Sequence, residues 1–228
     1  MSLEFELTLF SLIFIILLGG IYFTKKRIKL VENKTYELIL IFSFLEIVID
    51  TVIHFICAIY DFDIIVTEYY QLFNILNKIL SLLFIMIFSC LFCYTVMITY
   101  EKIRKNPKKL VYSLIGLNIV SALVLLFTNI ELVDVGLVTN VKGSTITIGY
   151  SIVAILIAGS LLVAIKNIRK FDKRYFPIFF VFIIISSLYI VTLAFPGLII
   201  YDMILALMCY IMYFTIENPD LTIINELN

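Results

Sequence analysis

Three ionisable side chains recur at i, i+4 and i+8 in one apolar run: Glu46, Asp50 and His54. On an α-helix that spacing stacks all three on one face. The surrounding run, Tyr36 to Tyr60, is otherwise built mainly of Ile, Leu, Val and Phe. Two carboxyls and an imidazole in such surroundings can bind a proton or a small ligand, or tie helices together through hydrogen bonds. A charged side chain at the centre of a bilayer costs roughly 2.5–3.5 kcal/mol on insertion scales, so the stripe should face protein rather than lipid. The next apolar run enters with Asn74, Asn77 and Lys78. Lys78 lies roughly 9 Å in by helical rise, the depth of Asp50 and His54 on the antiparallel neighbour. The matched depth predicts an Asp50–Lys78 pair with His54 within reach. Tyr201 and Asp202 open the last apolar run, and Asn118, Ser186, Ser187 and Tyr189 are further polar residues within apolar runs. Two readings stay open. Glu46, Asp50, His54, Lys78 and Asp202 form a pocket that senses a small ligand or protons, or they form a satisfied network holding helices together. For His54 alone core packing is the expected role, and for Asn118, Ser186 and Ser187 helix-to-helix hydrogen bonding.

Other chemistries are excluded by residue type. There is no HExxH, Walker A or GxGxxG motif, and the chain has eight glycines. A single histidine rules out any triad needing a second one and any multi-histidine metal or haem site. The last apolar run, Leu198 to Ile216, contains no lysine, which excludes a retinal Schiff base there. The four cysteines, Cys57, Cys90, Cys93 and Cys209, all fall in apolar runs and read as small buried hydrophobes. Cys90 and Cys93 have CxxC spacing without a second pair, a weak metal signal. No catalytic residue, cofactor or metal is expected.

These residues need helices in a membrane to position them. The chain has 228 residues, 63% of them hydrophobic, and a mean hydropathy of +1.12. Soluble domains are nearer 45–50% apolar, and about 20 apolar residues suffice to cross a bilayer as a helix. The seven runs are Phe5–Phe23, Tyr36–Tyr60, Leu72–Tyr100, Leu110–Thr128, Ile148–Ile165, Phe176–Ala194 and Leu198–Ile216. Between the fourth and fifth, residues 131–148 read as a short external β-hairpin. Its strands would be Val133–Val138 and Ser144–Ile148, with a turn at Asn140–Gly143. A tight turn is expected at Pro196-Gly197.

Charge orients the bundle. Lys25, Lys26, Arg27, Lys29 and Lys34 follow the first run; Lys102, Arg104, Lys105, Lys108 and Lys109 the third; Lys166, Arg169, Lys170, Lys173 and Arg174 the fifth. Asp61, Asp63 and Glu68 mark a loop on the other side. By the positive-inside rule the fold class is an all-α polytopic membrane protein of seven transmembrane helices, N-terminus outside and C-terminus cytoplasmic. Glu4 and Glu6 stand where a signal peptide would carry basic residues. The formal net charge is zero, so nothing points to nucleic acid; the expected partner is the lipid bilayer.

The chain leaves the membrane through Tyr213-Phe214-Thr215-Ile216-Glu217-Asn218-Pro219-Asp220-Leu221. Asn218 suits an N-cap, Pro219 the first helical position and Asp220 the positive end of the helix dipole. Leu221, Ile224 and Leu227 then begin an amphipathic pattern. This stretch resembles the motif closing the N-terminal membrane region of a group of bacterial sensor histidine kinases. The resemblance implies a seven-helix input domain over residues 1–217 and the start of a cytoplasmic signalling helix over 218–228. It also implies a homodimer through that helix and a signal-output joint at Glu217, Asn218, Pro219 and Asp220. The family's phosphoacceptor and nucleotide-binding motifs do not occur in these 228 residues. The expected function is therefore the sensing region of a two-component kinase in the bacterial cytoplasmic membrane, without catalysis of its own. The alternatives are a small secondary transporter or ion pathway using Glu46, Asp50 and Lys78, and an assembly partner of a larger membrane complex.

Overall fold

A computed structural model of the chain describes residues 3–24, 31–100, 103, 106–134, 139–166, 175–194 and 201–216. Apart from one two-stranded hairpin, the regular structure among the described residues is all-α. The helices are α1 (Leu3–Thr24), α2 (Val31–Ile59), α3 (Phe62–Thr67), α4 (Tyr70–Thr99), α5 (Lys108–Leu126), α6 (Ser144–Lys166), α7 (Phe176–Ala194) and α8 (Tyr201–Ile216). Strands β1 (Glu131–Asp134) and β2 (Thr139–Lys142) join α5 to α6. Among the described residues α1, α2, α4, α5 and α6 are long and apolar enough to cross a membrane, and α8 holds a shorter apolar stretch, Tyr201–Thr215. This is consistent with a multi-pass membrane protein.

Helix α4 is the axis of the bundle. It packs against α2 and α6 over much of its length and against α5 and α3 more locally. Its most apolar stretch is 61% buried, against 11% for α5, which lies at the periphery. In lipid there is no hydrophobic force between apolar helices, so close association depends on small residues and hydrogen bonds. Ser81 and Ser89 of α4 are buried, and a Cβ at Gly149 of α6 would meet that of Ser81 at 3.6 Å. Ser89 Oγ donates to Asn118 Oδ1 of α5 at 3.3 Å, the inter-helix role expected of Asn118. Ser187 instead donates to Ile183 O within its own helix.

Helix α1 packs on α2 and α8, and α8 also touches α2 and α7. Tyr22 donates its hydroxyl to Asn33 O at 3.1 Å, clamping the start of α2 to the end of α1. The fully buried centre holds Tyr36, Tyr94, Ile39, Ile47, Ile85 and Leu91. Outward faces are apolar too: Phe10, Leu17, Ile119, Val120, Ile155 and Leu162 are all exposed. Large apolar patches on a monomer mark a surface that meets something other than water.

Three expectations shift. The predicted hairpin exists, but its strands lie earlier, with Glu131 opposite Lys142 and Asp134 opposite Thr139. Opposite charges across a strand pair support that register. The segment Ser144–Ile148, predicted as a strand from its alternation, instead opens α6. The reason is local. Gly143 takes φ +117, the chain turns there, and Thr147 donates its hydroxyl back to Gly143 O in helical fashion. Within the acidic loop, Asp61 precedes the six-residue helix α3, whose Ile65 is buried. Helix α2 begins at Val31, ahead of the expected Tyr36. The Pro196-Gly197 turn lies outside the described residues.

Candidate functional site

The α2 stripe lies where the sequence places it. Its polar face continues toward the helix start through Ser43 and Tyr36, so Tyr36, Ser43, Glu46, Asp50 and His54 follow one another at helical spacing. Helix α8 lies against it and contributes Asp202 and, two turns further on, Cys209. Tyr36 donates its hydroxyl to Cys209 O at 3.0 Å, and Cys209 Sγ donates to Ser43 Oγ at 3.5 Å. Toward the hairpin end, Asp202 faces Asp50 and His54 of α2 and Thr8 of α1. Glu46 faces Asp50 and Asp202. Three carboxyls from two helices thus meet at one junction of α1, α2 and α8.

His54 Nδ1 lies 3.1 Å from Asp50 Oδ2 and 3.0 Å from Asp50 O. The i,i+4 step holds the imidazole over the carboxylate one turn below. The two side chains are 18% and 20% exposed, whereas Glu46 is 2% and Asp202 6% exposed. The site therefore grades from partly open at His54 to closed at Glu46. Glu46 Oε2 and Asp202 Oδ2 are buried without a hydrogen-bond partner. An aromatic cover lies beside the acids. Tyr150 of α6, Tyr201 of α8 and Phe84 of α4 approach one another at 6.0, 6.1 and 6.4 Å between ring centroids. Tyr150 faces both Glu46 and Asp50.

Lys78 does not join them, which corrects the predicted Asp50–Lys78 pair. Its Nζ donates to Leu126 O at 3.1 Å. Leu126 is the last residue of α5, where carbonyls lack helical donors and the dipole is negative. Equal depth on antiparallel helices left the rotation of α4 open, and the face bearing Lys78 turns to α5. Asn77, one residue earlier, is buried and donates to Phe73 O in its own helix. Asn74 Oδ1 is buried without a partner. Cys57, Cys90, Cys93 and Cys209 are not joined in disulfides. Among the described residues no group of three His, Cys, Asp or Glu side chains is placed to hold a metal ion. The side chains of Ser186 and Tyr189, and the joint Glu217, Asn218, Pro219 and Asp220, lie outside the described residues.

Tyr36, Ser43, Tyr150, Cys209 and Thr8 were not among the residues predicted for the site. Tyr36 and Ser43 were findable, because they continue the Glu46 stripe in phase. Thr8 and Tyr150 carry no such signal, since their place depends on which helices become neighbours. No family model matches the chain, and no curated protein matches it closely enough to show kinship.

Proposed function

We propose that this chain is the membrane-embedded input region of a bacterial two-component sensor histidine kinase, with seven spans, the N-terminus outside and the C-terminus in the cytoplasm. The observation that carries the reading is the meeting of Asp202 with Asp50 and His54. Asp202 stands in the first turn of α8, the helix that runs into the Tyr213–Leu221 stretch resembling the closing motif of such sensors. A change of charge at the junction acts directly on the helix that leads to the output joint. The partner in this reading is a second copy, joined through the helix that begins at Asn218, and the host is the cytoplasmic membrane.

Pro219 has no backbone N–H and disfavours helical geometry at Asn218, so the sequence predicts a stiff corner at the joint, or a short break that starts the next helix. In the kinase that carries this region, Pro219→Ala is expected to change basal autophosphorylation while leaving membrane insertion intact. Unchanged basal and stimulated autophosphorylation would remove the joint from the mechanism. A reading frame that continues past Asn228 into a heptad helix with a phosphoacceptor histidine supports the proposal, and a stop codon there counts against it.

The second reading, a secondary transporter or ion pathway through Glu46, Asp50 and Lys78, draws on the buried Glu46 beside Asp50. Lys78, the cation it would use, is turned to α5.

The orientation has its own test. In a background with the four native cysteines replaced by alanine, Lys142→Cys should be labelled from outside intact cells by a membrane-impermeant thiol reagent. Lys105→Cys should be labelled only after the membrane is opened. Equal labelling of both from outside would overturn the proposed topology.

A further inference from the structure

We propose that the ligand of the α1–α2–α8 junction is the proton, held by the carboxyls of Glu46 and Asp202 and exchanged with outside water past Asp50 and His54. The inference rests on the sensing role and outward-facing hairpin end proposed above.

Four observations support it. First, two carboxyl oxygens, Glu46 Oε2 and Asp202 Oδ2, are buried at one junction without a hydrogen-bond partner. A buried acceptor without a donor is costly, and native proteins seldom leave one without a role. A proton converts a carboxylate oxygen into an O–H donor. On Asp202 that donor meets the Asp50 carboxyl facing it, and two like charges become a hydrogen bond. Nothing else is transferred: one proton arrives from water and one O–H bond forms.

Second, among the described residues the features that could hold a larger ligand do not include these acids. No metal-holding group of three is present among the described residues. An apolar cavity of about 310 Å³ lies between α1 and α8, but its lining of Leu7, Phe10, Phe14, Met203, Leu207 and Tyr210, with Ser11 and Ala206, includes none of the acids.

Third, compensating charge is scarce among the described residues. The titratable groups facing the acids are Asp50 and His54 from α2, Tyr150 from α6, and Tyr201 and Cys209 from α8. Helix α1 contributes the neutral Thr8, helix α4 contributes Phe84 beside the two tyrosines, and Lys78 is directed to Leu126. His54 is the basic side chain within this set among the described residues, and it sits on Asp50.

Fourth, exposure falls stepwise along α2. His54 and Asp50 are each about a fifth exposed, and Glu46 is closed. Side chains at i and i+4 are neighbours on one helix face, so Glu46, Asp50 and His54 form successive steps from the closed end to the open one. The mechanical consequence follows from the elements. With the proton present, α8 is held to α2; without it, carboxylates on the two helices repel across a buried interface.

Infrared difference spectroscopy between acid and alkaline buffers, on the full chain in lipid nanodiscs, tests this. The expected spectrum contains a protonated-carboxyl C=O band that shifts down in D2O. Glu46→Gln and Asp202→Asn are each expected to remove about half of it, as members of a coupled pair. Asp63→Asn, in the exposed loop helix α3, leaves it intact. Circular dichroism identifies a variant that has failed to fold, and the spectrum of the isosteric partner variant then decides. Absence of the band overturns the inference, as does a band untouched by both substitutions. A band that sodium or potassium abolishes at fixed pH assigns the site to an alkali ion and also overturns it. The readout needs no kinase. A normal band with no effect of pH on autophosphorylation refutes the sensing role alone, and a responsive kinase without the band refutes the proton alone.

Discussion

Replacing Gly143 with valine is expected to destabilise the fold by about 3 kcal/mol. Gly143 takes φ +117, and a Cβ there would lie 2.5 Å from Asn129 O. The neighbour is backbone, so no side-chain rotation relieves the contact. A β-branched residue has no low-energy conformation at that φ. The damage spreads through the crossing between the end of α5 and the start of α6. Asn129 O accepts from the Thr145 N–H at 3.3 Å and from Thr145 Oγ1 at 3.2 Å. Thr145 Oγ1 also meets Thr128 Oγ1 at 2.7 Å, and the Asn129 N–H donates to Ser144 Oγ at 3.0 Å. Pushing Asn129 aside strains all of these together. Thermal unfolding followed with a thiol-reactive dye reads the effect, because Cys93 and Cys209 are buried and Cys57 and Cys90 half-buried in the folded chain. Gly116→Ala is the control: nothing lies within 4 Å of its Cβ position inside α5, so it should leave stability unchanged or raise it by up to about 1 kcal/mol. A Gly143→Val protein that melts like the parent would mean that this tight crossing is not what holds α5 to α6.

The helices were legible because length and apolar content decide them, and water-avoiding runs of that length have few other structures open to them. The hairpin shows where that signal stops. Thr145, Ile146, Thr147 and Ile148 alternate like a strand, and alternation over a few residues does not separate a strand from the first turn of an apolar helix. Gly143 and the Asn129 carbonyl settle the matter, and that contact joins residues 14 positions apart. Helix α3 was hidden for another reason. It is six residues long, and its buried Ile65 packs with Ile53 and Phe73 in a small cluster to which the hairpin's Leu132 also turns.

The site was legible along one helix and not between helices. Spacing alone placed Glu46, Asp50 and His54 on a common face, and α2 keeps them there. Asp202 was a candidate as an acid opening the last apolar run, and it meets Asp50 and His54 because that run packs against α2 in the antiparallel sense. Lys78 illustrates the converse. Rise per residue gives depth, but only rotation about the axis says which neighbour a side chain meets, and one position is worth about 100°. Asn77 and Lys78 are adjacent in sequence; one is buried along its own helix and the other reaches the end of α5. A seam of polar residues at i, i+3 or i+4 on one helix is therefore a firmer basis for a site than two residues at one depth on two helices.

Double-mutant cycles distinguish the two arrangements directly. Asp50→Ala is expected to cost about 2 kcal/mol, since it leaves His54 Nδ1 with only the Asp50 carbonyl and removes the group facing Asp202. The half-buried position keeps this below the 3–5 kcal/mol typical of fully buried pairs. The cycle of Asp50→Ala with His54→Ala should show a coupling of about 1 kcal/mol, because the two side chains touch at 3.1 Å. Lys78→Met should cost about 1 kcal/mol through the loss of its exposed, charge-assisted bond to Leu126 O at the helix C-terminus. Combined with Asp50→Ala, it should add to within about 0.5 kcal/mol, as residues without a shared partner do. All four are read from the same thiol-dye melts at one pH, near neutrality. Strong coupling between Asp50 and Lys78, with none between Asp50 and His54, would return the lysine to the junction. The junction's charge would then be compensated from α4, leaving the proton one fewer carboxylate to neutralise.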